Sequence, residues 1–440
     1  MRGQREFRCQ PIGSRSAQQG ACSVALESTG EQNDPTRRGV QLITRTELNE
    51  RIREWSIRED VVEKDYVIGW VLWGIGADPA LSASWAFKGG TCLKKCYVET
   101  FRFSEDLDFT LLPGATFETG QVTRHLKRAL VHVYEESGIS LLEREPVVHM
   151  RPDGKSMEGR VYYRGPRNAP SLASIRIDLT IVEKIVRPTV LRPIAHAYPD
   201  AFPLSAHVRC YSFEEVFAEK LRAMGERARP RDLYDIITLY RWPFLGPDAT
   251  LVRTVFREKC ESKGLKVFSS RSILASPFLA ELKEEWTNML EHQLPVLPPF
   301  SALWDELPQL LAWLEGRGSR EELPSILTID DIDDAWRPPA TLSFWGLRTP
   351  LEKARFAAVN RLCVEVGYQD RTFMVEPYSL RKASSGQLIL YTVVSDTGSV
   401  CTYPVDQIDS LNVTATTFTP RFALDVVDAS MVTFSTAGCS

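Results

Sequence analysis

The sequence predicts an α/β domain followed by a helical segment and a small all-β module, and three stretches carry that expectation. VVEKDYVIGWVLWGI (61–75) is apolar with helical periodicity, and SIRIDLTIVEK (174–184) alternates as a half-buried strand does. After Phe344 comes a helix and then short alternating segments (RLCVEVGY, RTFMVEP, QLILYTVV, VCTYPV, SLNVTA) separated by turn residues, the pattern of a small β structure. A length of 440 residues accommodates two or three such domains.

In chain order, residues 1–40 are rich in Gly, Ser, Gln and Arg and have too little apolar surface to offset ordering entropy, which predicts a flexible arm. Residues 41–242 mix helical and strand periodicities. Residues 243–318 read as helices, with SALWDELPQLLAWLEG the clearest amphipathic piece. The acidic, Pro-containing stretch 319–343 reads as a linker, 344–425 as the β module and 426–440 as a tail. No internal repeat at a solenoid period is visible.

A net charge of −4 gives no general attraction for a polyanion, so a nucleic-acid partner has to meet a local basic patch. The longest apolar run, Tyr66–Ala77, is too short to span a bilayer, which excludes a membrane partner and predicts a buried helix. Nine scattered cysteines with no secretory segment before them read as reduced thiols in the cytoplasm. Cys92 and Cys96, four apart, read either as half a metal site or as core thiols; no second Cys/His pair at zinc spacing follows, which favours core thiols.

The chemistry concentrates in FKGGTCLKKCYVETFRFSEDLDFTLL (87–112). Gly89, Gly90 and Thr91 precede a helix-compatible CLKKCYVET, so backbone amides there can approach phosphate with no Cβ in the way, although such glycine pairs are also plain turns. Asp106 and Asp108 are two apart in a strand-like run, so their carboxylates share a face and attract a hard divalent cation, or simply form a solvated strand end. Asp178 alternates with Ile177 and Leu179 and supplies a third carboxylate if its strand lies beside that of Asp106; otherwise it is a surface residue. Further on, Ser212 with Glu215 forms a capping-box signature. In that helix Lys220 borders the apolar line of Val216 and Met224, either snorkelling to water or reaching a triphosphate. KLRAMGERARPR (220–231) is strongly basic, and Asp232 and Asp235 follow one turn apart, where an acid beside a metal site can orient or deprotonate a hydroxyl.

Taken in order, KGGTCLKK, RFSEDLDF, IRIDLTIVE and FEEVFAEKLRAMGERARPRDLYDI resemble the AbiEii/AbiGii toxin family of nucleotidyltransferases over roughly residues 55–245. The resemblance implies a polymerase-β-like nucleotidyltransferase core, a mixed sheet with flanking helices. It implies nucleotide binding by Lys88, Gly89, Gly90, Thr91, Lys94, Ser104 and Lys220. It also implies Mg²⁺ on Asp106 and Asp108, with two ions expected, and makes Asp232 the acid of the last motif. Asp178 is added as the third metal and catalytic carboxylate from its position in the alternating strand. Arg222, Arg227, Arg229 and Arg231 are the expected nucleic-acid contacts, with 151–168 as a second RNA surface. The family acts in toxin–antitoxin and phage-defence systems, and some members transfer pyrimidine nucleotides to the 3′ end of tRNA. Expected partners are therefore an NTP, an RNA acceptor, a cognate antitoxin and, possible for such a chain, a second copy as homodimer. Residues 351–422 resemble more loosely a WYL domain, an Sm-like barrel, with Arg371 and Tyr378 as its matching ligand residues; Leu388-Ile389-Leu390 replaces the naming tripeptide and Cys401 replaces a second arginine. Two functions follow: an Mg²⁺-dependent transferase of NMP to RNA, or a catalytically silent nucleotide-binding regulator acting through the β module.

Overall fold

Thr44 and Glu47 close a complete capping box, and the helix α1 (Arg45–Trp55) starts there. The computed structural model describes residues 42–98, 102–203, 206–242, 247–269, 272–273, 277–318, 322–327, 332–333 and 351–426. The chain divides into units 1–39 and 40–440, and the first lies outside the described residues. So do the expected arm, most of the expected linker and the tail beyond Val426.

Helix α2 (Glu59–Ala77) contains the predicted apolar run and is buried on nearly all sides. No helix among the described residues is long and apolar enough to cross a membrane. The short helix α3 (Pro79–Ser84), capped by Asp78, leads into strand β1 (Trp85–Lys88). There the chain turns through Gly89 into a helical turn α4 (Gly89–Cys92) and a π-helical turn (Leu93–Tyr97). The expected single helix is thus shorter than predicted and irregular.

Strand β2 (Asp106–Leu111) follows, then α5 (Thr119–Ser137), β3 (Val147–Met150), β4 (Ser156–Tyr163), β5 (Ala173–Thr180), β6 (Val190–Pro193) and β7 (His207–Cys210). They form a mixed seven-stranded sheet in the order β3-β4-β5-β2-β1-β7-β6. β2 runs antiparallel to β1 and parallel to β5, while β1 runs parallel to β7. Ile175, Ile177 and Leu179 of β5 are buried, as alternation predicts, alongside Leu107 and Phe109 of β2. Phe109 packs against both Trp85 and Phe87 of β1, fixing the centre of the sheet.

Helices α6 (Phe213–Arg227), α7 (Pro230–Arg241) and α8 (Ala249–Ser262) follow the sheet. The predicted capping box of α6 is only half formed. Ser212 accepts from the Glu215 amide at 3.3 Å, but the Glu215 carboxylate is drawn inward, accepting from the amides of Val186 and Arg187 and pairing with buried Lys259 at 2.7 Å. The helices of 243–318 share one apolar core with the sheet: Phe217 of α6 stacks on Trp313.

The helix Leu351–Asn360 joins this core to a second, antiparallel sheet of strands β8 (Leu362–Tyr368), β9 (Arg371–Lys382), β10 (Leu388–Val394), β11 (Val400–Pro404) and β12 (Ser410–Thr417). Its order is β11-β10-β9-β8-β12. The expected Sm-like barrel is not closed, because β11 and β12 are opposite edges and have no ladder between them. Part of the expected linker belongs to this module: Ile326 is buried in its second apolar cluster, and Ile332 bridges Ala383. Docking onto the first core is polar as well as apolar. Tyr234 donates to Asn360 at 2.9 Å, and Arg361 pairs with Glu306 at 2.7 Å.

Candidate active site

Strand register builds the site. Lys88, Asp108, Asp178 and Glu158 are successive partners across β1, β2, β5 and β4, so their side chains line one face in a single row. Asp106, two residues before Asp108, joins the same face opposite Arg176. The three predicted carboxylates are therefore brought together by backbone pairing.

Their electrostatics follow from that crowding. Burial, and then the charges of Asp178 and Asp106, raise the Asp108 carboxyl to about 6 against the pull of Lys88 and Lys220. Burial also raises Asp178, aided by Asp106 and Glu158 and opposed by Arg176 and Arg151. Arg151 donates to Asp178, and Arg176 lies 3.2 Å from it, so two arginines absent from the expected site grip this carboxylate.

The glycine turn lies against this row. Gly89 has φ +83°, and a Cβ there would overlap the Asp108 carboxylate oxygen. A Cβ on Gly90 would come within 2.8 Å of Arg102 Nη2 and 3.0 Å of Ser104 Oγ. Thr91 is buried and donates its hydroxyl to the Asp106 carbonyl at 2.5 Å, clipping the turn to the start of β2. That hydroxyl is a positioning group, since its hydrogen is already used.

Lys88 pairs with Glu219 of α6 at 2.7 Å, which holds the Glu219 carboxyl down at about 2 despite its burial. Lys220, with 11% of its side chain exposed, pairs with Asp235 at 2.7 Å. Arg102 donates to both oxygens of the same Asp235, at 2.7 and 2.9 Å. Burial opposes the Asp235 charge, and the cations of Arg102 and Lys220 overcome it, leaving the carboxyl below its ordinary value. The acid opposite Lys220 is thus Asp235. Asp232, fully buried one turn earlier, accepts a bidentate pair from Arg227 at 2.9 and 3.0 Å.

The other expected residues separate. Lys94 lies 4.1 Å above the Phe103 ring and lines a different cavity of about 40 Å³ with Lys95, Asp65, Glu54 and Glu352, none of which belongs to the carboxylate row. Arg222 is buried among Glu226, Glu219 and Glu183, and Arg227 is engaged with Asp232. Arg229 is exposed at the N-cap of α7. Arg231 is half-buried with its Nε unpartnered; burial and the charge of Arg102 lower it, while Asp106, Asp235 and Glu105 pull the other way, which puts a cation at the edge of the row. On the second expected RNA surface Tyr163 is buried and Tyr162 is covered by Arg144 at 4.0 Å, leaving Lys155 and Arg160 exposed; Arg176, on β5 beside it, is exposed too. In the C-terminal module Arg371 is exposed at the start of β9, whereas Tyr378 is buried and donates to Glu376 at 2.7 Å.

Comparison with known proteins places these features. Among solved structures, the nucleotidyltransferase toxin MenT4 of Mycobacterium tuberculosis H37Rv aligns with a TM-score of 0.43 and 20% identity, covering 62% of this chain and 90% of that one. No curated protein matches the chain. The family described as "Nucleotidyl transferase AbiEii toxin, Type IV TA system" matches residues 70–312, which contain the glycine turn, the carboxylate row and Asp235. That match spans more than half of the 440 residues, so the chain belongs to the AbiEii nucleotidyltransferase toxin family.

Proposed function

We propose that this enzyme transfers a nucleoside monophosphate from an NTP to the 3′ end of an RNA, with tRNA as the acceptor, using Mg²⁺ held by Asp106, Asp108 and Asp178. The observation that carries the reading is the register that sets Asp108 beside Asp178, with Asp106 on the same face of the sheet, a crowding that also raises the Asp108 carboxyl. A face that gathers carboxylates this closely suits a hard divalent cation bound together with substrate phosphates. Such a cation supplies charge neutralisation at the phosphoryl oxygens and a more acidic attacking hydroxyl.

The chain's own groups do the rest. Backbone amides at Gly89 and Gly90 receive triphosphate oxygens, and Lys220 and Arg231 add positive charge there. Asp178, raised by burial and by its acidic neighbours, is the carboxylate suited to take the proton of the RNA 3′ hydroxyl. The 3′ oxygen bonds to the α-phosphorus, the bond to the bridging oxygen breaks, and pyrophosphate leaves. Exposed Arg160, Arg176 and Arg229 would meet the acceptor backbone. We assign catalysis to 41–242, helical support to 243–318 and a regulatory or dimerising role to 344–425, in a cytoplasmic protein with a cognate antitoxin.

The test incubates purified protein and Mg²⁺ with each radiolabelled NTP and total bacterial tRNA. Label on RNA that disappears in an Asp106→Ala/Asp108→Ala variant is the expected result. Tight nucleotide binding with no label from any NTP would instead favour the silent regulator, or an acceptor other than tRNA.

A further inference from the structure

Behind the glycine turn, on residues the proposed chemistry does not use, three thiols converge. Cys92 closes the helical turn that begins at Gly89, and Cys96 lies in the π-helical turn that follows. Cys210 arrives 114 residues later at the end of β7, placed by its parallel pairing with Phe87 of β1. All three are fully buried, and their sulfurs lie within 4.8 Å of one another. The third ligand missing from the sequence reading is thus delivered by the sheet.

We propose that Cys92, Cys96 and Cys210 form a three-thiolate site for a soft d¹⁰ cation, Cu⁺ or Zn²⁺. A metal–sulfur bond of roughly 2.3 Å requires sulfurs about 4 Å apart, so the trio needs only a small contraction to close on an ion. Thiolate selects this class of cation over the hard ions that suit the carboxylate row. Charge balance favours the divalent ion: three thiolates around Zn²⁺ carry one excess negative charge against two around Cu⁺, and the nearby cation is Arg192, which donates to the Cys96 carbonyl at 3.2 Å and lies 4.9 Å over the Tyr97 ring. The Tyr97 hydroxyl, 3.7 Å from Cys210 Sγ, is engaged with the Tyr211 carbonyl, so a fourth light donor to Zn²⁺ would be its remaining lone pair or a water; Cu⁺ is satisfied by three sulfurs. A bound ion would tie the turn carrying Gly89 to β7.

The test strips full-length reduced protein with chelator, loads it with Zn²⁺ or anaerobically with Cu⁺, desalts it and measures metal per chain. Metal-edge X-ray absorption then counts neighbours. One ion per chain with three sulfurs is expected from at least one cation, together with a rise in melting temperature of several degrees. A light fourth neighbour identifies the Zn²⁺ form, and its absence the Cu⁺ form. Cys92→Ala and Cys210→Ala, each checked for folding by circular dichroism, should retain less than a tenth of the ion. Loss of both cations on desalting, fewer than three sulfur neighbours, or full retention in a folded variant overturns the site; the sulfur count decides even where both variants fail to fold.

Discussion

The α-carbon of Gly89 packs directly against the carboxylate of Asp108, in a backbone conformation with φ +83°. Both facts exclude a side chain. Gly89→Ala is therefore expected to cost about 1–2 kcal/mol in stability and to push Asp108 out of the row, lowering the transfer rate on the order of a hundredfold. Thermal melts and single-turnover transfer measure the two effects, and wild-type transfer by Gly89→Ala would show that the turn is not part of the site.

Asp108 should trade stability for function. Its folded carboxyl titrates at about 6 against an ordinary 3.8, so between those values the folded state holds more protons than the unfolded one. Stability from this group is fully present below pH 4 and is lost as pH rises through 6. With divalent ions chelated, Asp108→Asn should therefore be more stable than the parent at pH 8, by up to about 3 kcal/mol, and lose that advantage near pH 4. Urea melts at the two pH values check the sign; an equal difference at both refutes it. Transfer should be absent in the variant throughout.

Asp235 and Asp232 differ in what their loss exposes. Asp235→Ala leaves the cations of Arg102 and Lys220 in the interior without their carboxylate, and about 3–5 kcal/mol should be lost. Asp232→Ala releases Arg227, whose side chain is 53% exposed and can turn to water, so the loss should be smaller by at least about 1 kcal/mol. Chemical denaturation of both variants would reverse this ranking if Asp232 were the structural keystone.

Arg231 should serve substrate and not the fold. Burial disfavours its charge and its Nε is unpartnered, so Arg231→Ala removes a desolvated cation at the loss of attraction to Asp106, Asp235 and Glu105, and the melting temperature should stay nearly unchanged. KM for the NTP should increase at least about tenfold with loss of a charge-assisted phosphate contact. A fall in stability with unchanged KM would count against this role.

The carboxylates were readable in the sequence because strand periodicity is local: Asp106 and Asp108 are two apart, and Asp178 alternates with buried Ile177 and Leu179. Their shared register is a consequence of β2 meeting β5, which no local pattern encodes. Arg102 escaped notice because its partner Asp235 is 133 residues distant. Lys94 lies in the π-helical turn, which departs from the 3.6-residue period, and it faces Phe103 and a cavity apart from the carboxylate row, a placement that no local pattern encodes. Glu215 failed as a cap for a tertiary reason, its carboxylate being taken by Lys259 on α8. The closed barrel was what the WYL resemblance implied; alternation alone indicates a small β module and does not specify whether the two edges of its sheet meet.

Because β2 joins β5 in parallel and Arg102 waits for Asp235, no nascent chain that stops short of α7 contains a complete site. On the proposed function, a ribosome making this protein would carry an inert product until that helix has left the exit tunnel and docked. Pairing between strands so distant in sequence is slow, so a translating cell has an interval, set by folding, in which the toxin is present as polypeptide and absent as enzyme.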